Sequence, residues 1–99
     1  DLRRSSNTFG QWASVYLSAE NFKQLFIPAG FAHGFLTLSD TAEVLYKATN
    51  FWNKDAERSI IWNDPFLKID WPLNIEIQFS NKDAVAPSFK DLREDDLFD

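Results

Sequence analysis

The sequence predicts an all-β fold, a sandwich or barrel of jelly-roll type. The first two thirds of its 99 residues form short segments rich in aromatic and β-branched residues, which favour strands. Gly, Pro, Asn, Asp and Ser bound these segments, and short strands spaced by roughly 8 to 12 residues are typical of sandwiches and barrels. No long apolar stripe at helical spacing occurs before the acidic tail. We therefore expect a single domain over residues 1–99.

The individual strands follow from alternation and from turn residues at their ends. Tyr46 falls on the uncharged face of one such segment, opposite Glu43 and Lys47. We predict strands at residues 11–17, 23–27, 33–38, 42–49 and 59–62, with a further edge strand at 75–79. We predict a charged turn at 53–58, a covering loop at 63–72 and one short helix at 89–96 inside an irregular tail.

Composition excludes several classes of protein. There is no cysteine, so no disulfide framework and no cysteine-based metal or redox site is possible. A net charge of −5 without a basic patch argues against nucleic acid as a partner. No apolar stretch approaches the roughly 20 residues that span a bilayer, and no secretory leader precedes the domain, so we expect a cytoplasmic protein without a membrane partner. The sequence has no methionine, which indicates a piece of a longer protein.

Two residues stand out as candidates for acid–base chemistry. Histidine is the side chain whose ordinary ionisation falls nearest to neutral pH, and His33, next to Gly34, is the histidine of this chain. A tyrosine hydroxyl is protonated at neutral pH and can donate a proton to a carbanion, which makes Tyr46 the second candidate. Both residues also have a purely structural interpretation, as a hydrogen-bonded pocket histidine and a packed strand tyrosine. One histidine is too few for a typical jelly-roll metal centre, so we expect no metal.

Further candidates lie at the ends of the predicted strands. Trp52, after Phe51, offers a planar ring that can stack on a base or sugar, although aromatic residues at strand ends are often lids on the core. Lys82 and Asp83 are adjacent and charged, and the alternative for them is an ordinary surface pair that contributes little.

Five blocks of residues follow one another along the chain: Phe-Ala-His-Gly-Phe at 31–35, Leu-Tyr-Lys-Ala-Thr-Asn at 45–50, Ser-Ile-Ile-Trp-Asn-Asp-Pro at 59–65, Asp-Trp-Pro at 70–72 and Ser-Asn-Lys-Asp-Ala-Val-Ala-Pro at 80–87. In this order and spacing they closely resemble the dTDP-4-dehydrorhamnose 3,5-epimerase family. Asp-Leu-Arg at 1–3 and Ser-Asn-Thr-Phe-Gly at 6–10 also look like the middle of that family's domain, so the resemblance covers nearly the whole chain and only the tail after Pro87 is uninformative.

The resemblance implies a cofactor-free isomerase with a cupin, or double-stranded β-helix, fold. The family acts on a dTDP-linked 4-keto-6-deoxyhexose in dTDP-L-rhamnose biosynthesis. By this resemblance Tyr46 is the catalytic proton donor, and Asp83 is the carboxylate that orients a catalytic histidine. His33 resembles a second histidine near the sugar, Trp52 a ring that stacks on the thymine, and Glu57 and Lys82 contacts to the nucleotide.

The chain departs from the family pattern in two places. The family's catalytic base lies in an upstream Arg-Gly-Leu-His stretch that this sequence lacks, so we expect a truncated cupin domain that is inactive on its own. The family commonly has tyrosines where Phe51 and Trp52 stand. We expect a homodimer, because unpaired strand edges favour association and the family forms dimers. Two other readings stay open: a sugar-nucleotide or carbohydrate-binding module without catalysis, and a structural domain whose aromatic residues only form a core.

Overall fold

The computed structural model describes residues 1–72 and 76–99 of the chain. Its regular elements are a single-turn α-helix, α1, at Asn81–Ala84, and three 3₁₀ helices at Lys54–Ala56, Phe89–Asp91 and Glu94–Asp96. The β-structure of the described residues is one isolated parallel bridge between Arg3 and Phe98. None of the helices in the described part of the chain is long and apolar enough to cross a membrane.

The predicted all-β jelly roll, and with it the partial cupin fold, is therefore wrong for this structure. The segments at 11–17, 23–27, 33–38, 42–49 and 59–62 contain no paired strand, and neither do residues 76–79 of the predicted edge strand. The start of that edge strand, residue 75, lies outside the described residues. The predicted single helix at 89–96 is two short 3₁₀ helices, Phe89–Asp91 and Glu94–Asp96.

The physical reason lies in what strand propensity measures. Aromatic and β-branched residues fit a pleated, half-buried surface, but a strand exists only where a second strand accepts and donates its ladder hydrogen bonds. Between residues 12 and 52 the backbone hydrogen bond that the structure gives to another segment runs from the Leu2 N–H to the Gly30 carbonyl, at 2.9 Å. The sequence predicted segments that can pair as strands, and the described residues place no second strand beside them.

Side chains replace the ladder in this region. The Asn21 Oδ1 accepts from the backbone N–H groups of Ser18 and Lys23, at 3.1 and 3.0 Å, and its Nδ2 donates to the Tyr16 carbonyl at 2.8 Å. Phe22 adopts a φ of 52° at the tip of this turn. Residues 12–52 thus form a series of turns and extended stretches, which we call the arch.

Most of the large apolar side chains of the arch are exposed. The exposed fraction reaches 98% at Phe51, 91% at Leu45 and 87% at Phe22. The accessible surface of the chain is 8984 Å², whereas a folded monomer of this mass exposes roughly 5,800 Å². The chain therefore leaves far more apolar surface in contact with solvent than a self-contained domain of its size.

The packed part of the molecule, which we call the base, comprises residues 1–11 and 54–99 as far as they are described. A cluster of aromatic rings holds it together: Phe66 stacks on Phe89 with ring centres 5.1 Å apart, and Phe9 lies against the same ring at 5.5 Å. Trp62 stacks on Phe79 at 4.9 Å. Such pairs contribute about 0.5–1.5 kcal/mol each beyond the area that they bury.

Asp64 is the buried charged group of the base, with 2% of its surface exposed. Its Oδ1 accepts from the N–H groups of Phe66 and Leu67, at 2.9 and 2.8 Å, and its Oδ2 accepts from the N–H of Phe89 at 2.7 Å. Burial alone raises the pKa of Asp64, but the bonds from Phe89, Leu67 and Phe66 outweigh burial and hold the pKa below its usual value. The carboxylate therefore ties two distant segments together while it stays charged.

Both ends of the described chain meet at Gly30. The Phe98 N–H donates to the Leu2 carbonyl at 3.0 Å, and Leu2 is in turn bonded to Gly30. Gly30 has a φ of 89°, and a Cβ added there would lie 2.6 Å from the Cγ of Arg3. The Arg3 guanidinium lies 4.6 Å from the centre of the Phe31 ring. Only glycine fits this position without strain, because it needs both the left-handed backbone and the missing side chain.

We expect Gly30→Ala to reduce the free energy of unfolding by about 1–3 kcal/mol, since the variant meets backbone strain and a clash together. Gly34→Ala is the matched control, because nothing lies within 4 Å of its added Cβ. Urea unfolding followed by tryptophan fluorescence measures both variants. Equal midpoints for the two variants would contradict the role assigned to Gly30.

We expect Asp64→Asn to lower the free energy of unfolding at pH 7 by about 1–3 kcal/mol, because an amide nitrogen cannot accept the bonds that one carboxylate oxygen accepts. The lowered pKa of Asp64 stabilises the fold above the unfolded aspartate value of about 3.9 and loses that effect as pH falls below it. The parent chain should thus weaken steeply between about pH 5 and pH 2, and the variant less steeply. Asp40→Asn, at an exposed turn, should change neither the stability nor its pH profile. A pH profile of Asp64→Asn that matches the parent would exclude this account.

Candidate functional site

A tight turn brings Trp52 and Glu57 together. The turn is the 3₁₀ helix Lys54–Ala56, which the Asn53 side chain caps by accepting from the Asp55 N–H at 3.0 Å. Its far end closes where the Glu57 N–H donates to the Lys54 carbonyl at 3.2 Å. The chain reverses between Trp52 and Glu57, and the indole Nε1 donates to the Glu57 Oε1 at 2.7 Å.

Lys82 reaches the same carboxylate from α1. Ser80 caps this helix, since its Oγ accepts from the Asp83 N–H at 3.1 Å. The Lys82 Nζ donates to the Glu57 Oε2 at 2.8 Å. The three side chains of Trp52, Glu57 and Lys82 form one group, which we call the carboxylate-centred cluster.

The three side chains of the cluster lie at the surface, which limits how much their contacts contribute to the stability of the fold. Trp52 is 73% exposed, and the side chains of Lys82 and Glu57 are 54% and 39% exposed. The Lys82 hydrogen bond, and after it the bond from Trp52, holds the pKa of Glu57 below its usual value. An exposed ion pair of this kind contributes little to stability, because water and salt screen it. The cluster therefore orients its side chains more than it stabilises the fold.

A cleft of about 310 Å³ adjoins the cluster, with Glu57 and Lys82 on its wall and Val85, Pro87 and Leu92 among its apolar lining. Sequence reasoning did not select the charged pair on its other wall. Arg58 donates from Nε to the Asp96 carboxylate. Arg93, through its side chain and its backbone N–H, and then Arg58, lower the pKa of Asp96 to about 2. Arg58 and Asp96 are 38 residues apart in the chain, so no local spacing signal could have linked them.

The arch and the base enclose an open hollow of about 3500 Å³. All of the site residues predicted from the sequence line it: His33, Tyr46, Trp52, Glu57, Lys82 and Asp83. Trp52, Glu57 and Lys82 are in mutual contact through the carboxylate. Tyr46 is 84% exposed and His33 is exposed too, so these two share the hollow with the cluster without packing against it.

Asp83 has a different neighbour from the one that its predicted role requires. Its Oδ2 accepts from the Ser80 hydroxyl at 2.7 Å, while the Ser80 Oγ accepts from the Asp83 N–H. The carboxylate thus takes part in the cap of α1. Among the residues that the structure describes, no group of three or more His, Asp or Glu side chains could hold a metal ion.

The comparison with known protein families matches the sequence of this chain to one of them. The family model described as dTDP-4-dehydrorhamnose 3,5-epimerase matches residues 1–91, a range that includes all six site residues predicted from the sequence. The chain belongs to the dTDP-4-dehydrorhamnose 3,5-epimerase family. The resemblance read from the sequence blocks is confirmed, and the family is one of isomerases.

Curated relatives from distant organisms carry the same name. The chain is 59% identical to a dTDP-4-dehydrorhamnose 3,5-epimerase of Pseudomonas aeruginosa over 91 residues, which are 92% of this chain and 50% of that protein. It is 58% identical to that of Salmonella typhimurium over 87 residues, 88% of this chain and 48% of the relative. The protein of Methanothermobacter thermautotrophicus is 45% identical over 100 aligned positions, 99% of this chain and 52% of the relative. The chain thus spans about half the length of these curated relatives.

Proposed function

We propose that this chain provides the proton donor and the nucleotide-binding surface of a dTDP-4-dehydrorhamnose 3,5-epimerase that works in dTDP-L-rhamnose biosynthesis. The observation that carries the proposal is the carboxylate-centred cluster on the wall of the hollow, because it sets an exposed indole ring and an ammonium group side by side. A flat ring next to a cation suits a base linked to a diphosphate. Tyr46 opens into the same hollow, where a sugar attached to that diphosphate would extend.

The chemistry needs no cofactor. The C4 ketone of a dTDP-4-keto-6-deoxyhexose acidifies the protons at C3 and C5, so a base can remove each proton to give an enolate. A proton delivered to the opposite face of the enolate inverts the carbon. Tyr46 is suited to that delivery because its phenolic O–H is a hydrogen-bond donor and its side chain is open to the hollow. His33 would lie near the sugar.

The chain by itself is proposed to bind substrate without epimerising it. A catalytic base needs an imidazole that a carboxylate orients, and the Asp83 carboxylate is bonded to the Ser80 hydroxyl. His33 is exposed on the arch, where nothing in the described structure fixes its ring. Proton abstraction then has no group held in position for it.

The first experiment is proton NMR of dTDP-4-keto-6-deoxyglucose in deuterated buffer with the chain added. We expect the thymine and sugar signals to broaden, while the C3 and C5 protons exchange no faster than in buffer alone. Trp52→Ala should abolish the broadening, since stacking on an aromatic ring contributes about 1–3 kcal/mol per base. Trp12→Ala is the matched control, another exposed tryptophan of the hollow.

Each remaining result of that experiment has a definite meaning. Exchange faster than in buffer would show that the chain has a working base of its own, with His33 as the first candidate, and would contradict the proposed inactivity. Broadening without exchange that survives Trp52→Ala would remove the stacking role. No broadening at all would contradict the proposed function for this chain.

We also propose that the chain forms a homodimer. The support is the exposed apolar surface of the arch, with side chains such as Phe26 and Leu45 exposed by 83% and 91%, together with extended segments that have no ladder partner. Pairing with a second copy would bury both.

We expect sedimentation velocity to give a dimer whose dissociation rises on dilution, and Leu45→Lys to shift the equilibrium to monomer. Glu94→Lys, on the exposed side of the tail, should leave the dimer intact, and a monomer at all concentrations would refute the dimer.

A further inference from the structure

Glu57 connects the other two members of the carboxylate-centred cluster. Its Oε1 accepts from the Trp52 indole at 2.7 Å and its Oε2 accepts from the Lys82 ammonium at 2.8 Å. Each carboxylate oxygen therefore already has a strong, short donor. The donors come from two different parts of the chain, the turn at Lys54–Ala56 and the helix α1, and the carboxylate is where these parts meet.

The indole bond changes what Trp52 can offer to a ligand. An indole has one polar hydrogen and no acceptor, and in this structure that hydrogen is directed at Glu57. The ring consequently presents its two faces and no free donor. Because Trp52 is 73% exposed, the bond to Glu57 is the polar contact that the structure gives to its ring. A ring that is fixed before binding loses less conformational entropy when a base stacks on it.

The same carboxylate sets the direction of Lys82. An ammonium group has three donors, and one of them is directed at Glu57. The remaining two can reach anionic oxygens beside the ring. The ion pair also keeps the long, flexible lysine side chain close to the ring, where it would otherwise sample the open surface of the hollow.

We propose that Glu57 is a positioning residue for nucleotide binding, which orients the Trp52 ring and the Lys82 ammonium and does not itself contact the nucleotide. This inference rests on the proposed function, because it takes the ligand to be a pyrimidine nucleoside diphosphate. It differs from the direct contact to the nucleotide that the family resemblance implied for Glu57. Under this proposal the base is held by stacking on Trp52 and the diphosphate by Lys82, and Glu57 acts on both through their orientation.

The geometry is tested without any ligand by following the indole N–H signal of Trp52 in ¹H–¹⁵N NMR spectra, assigned through its loss in Trp52→Phe. We expect the signal to shift as the pH falls below the usual range of glutamate, because Lys82 and Trp52 hold the pKa of Glu57 down. Glu57→Gln should remove this shift, and Glu94→Gln should leave it unchanged. A Trp52 indole signal whose chemical shift changes neither with pH nor in Glu57→Gln would overturn the proposal.

The functional part is tested by titrating the 99-residue chain with dTDP in a calorimeter. Glu57→Gln retains an oxygen that accepts the indole hydrogen but loses the second oxygen that accepts from Lys82, so it should weaken binding less than Glu57→Ala, which frees both side chains and should weaken binding about 5- to 10-fold. Trp52→Phe keeps a stacking ring without the donor and should weaken binding to a similar degree. The double variant Trp52→Phe with Glu57→Ala should bind no worse than the single variant with the lower affinity, because each change removes the same hydrogen bond between the indole and Glu57.

The alternatives give different patterns. If the two losses multiply in the double variant, Glu57 does not act through the Trp52 ring, so the positioning of that ring is refuted and the proposed function stands. If the parent chain shows the indole titration but no dTDP binding, the nucleotide role is refuted together with the proposed function. If binding is present and Glu57→Ala has no effect, the positioning role alone is refuted.

Discussion

The buried carboxylate of Asp64 is the interaction on which the ordered part of this molecule depends. It accepts three backbone N–H groups from two segments 25 residues apart, which sets Phe66 against Phe89. Next to this contact the Ile61 N–H donates to the Pro87 carbonyl at 2.9 Å. That bond aligns the residues leading back to Glu57 with those leading back to Lys82. The carboxylate-centred cluster thus lies on segments that a hydrogen-bonded anion in the base helps to hold together.

The sequence blocks predicted the family and named the members of the carboxylate-centred cluster as candidates, because the signal lies in residue identity and short spacing. The turn between Trp52 and Glu57 and the Ser80 cap of α1 are both local. Lys82 could be assigned only through the resemblance, because its partner lies 25 residues away. The pairing of Arg58 with Asp96 has no local signal at all, and it was missed.

The predicted fold class was wrong because strand propensity does not report whether a second strand lies beside a segment. Residues 42–49 alternate as a strand should, and Tyr46 and Leu45 are both almost fully exposed, so neither face of the segment is covered. Burial of one face is what normally fixes the register of a strand. With no covered face and no ladder beside it, the alternation describes a segment able to join a sheet, and the all-β prediction took that ability for the sheet itself.

The contrast between base and arch has a consequence for where function can reside. Regions with few buried apolar contacts open at low free energy, whereas packed regions open only with the whole fold. His33 and Tyr46 belong to the arch, and Glu57 and Lys82 belong to the base, with Trp52 at the junction. Under the proposed function, nucleotide binding would draw on the oriented groups of the base, whereas proton transfer would depend on side chains of the arch that packing does not hold in place. Catalysis needs reacting groups held within a fraction of an ångström, so this arrangement favours the proposal of binding without epimerisation, and proton transfer from Tyr46 would require a covering surface that holds the arch.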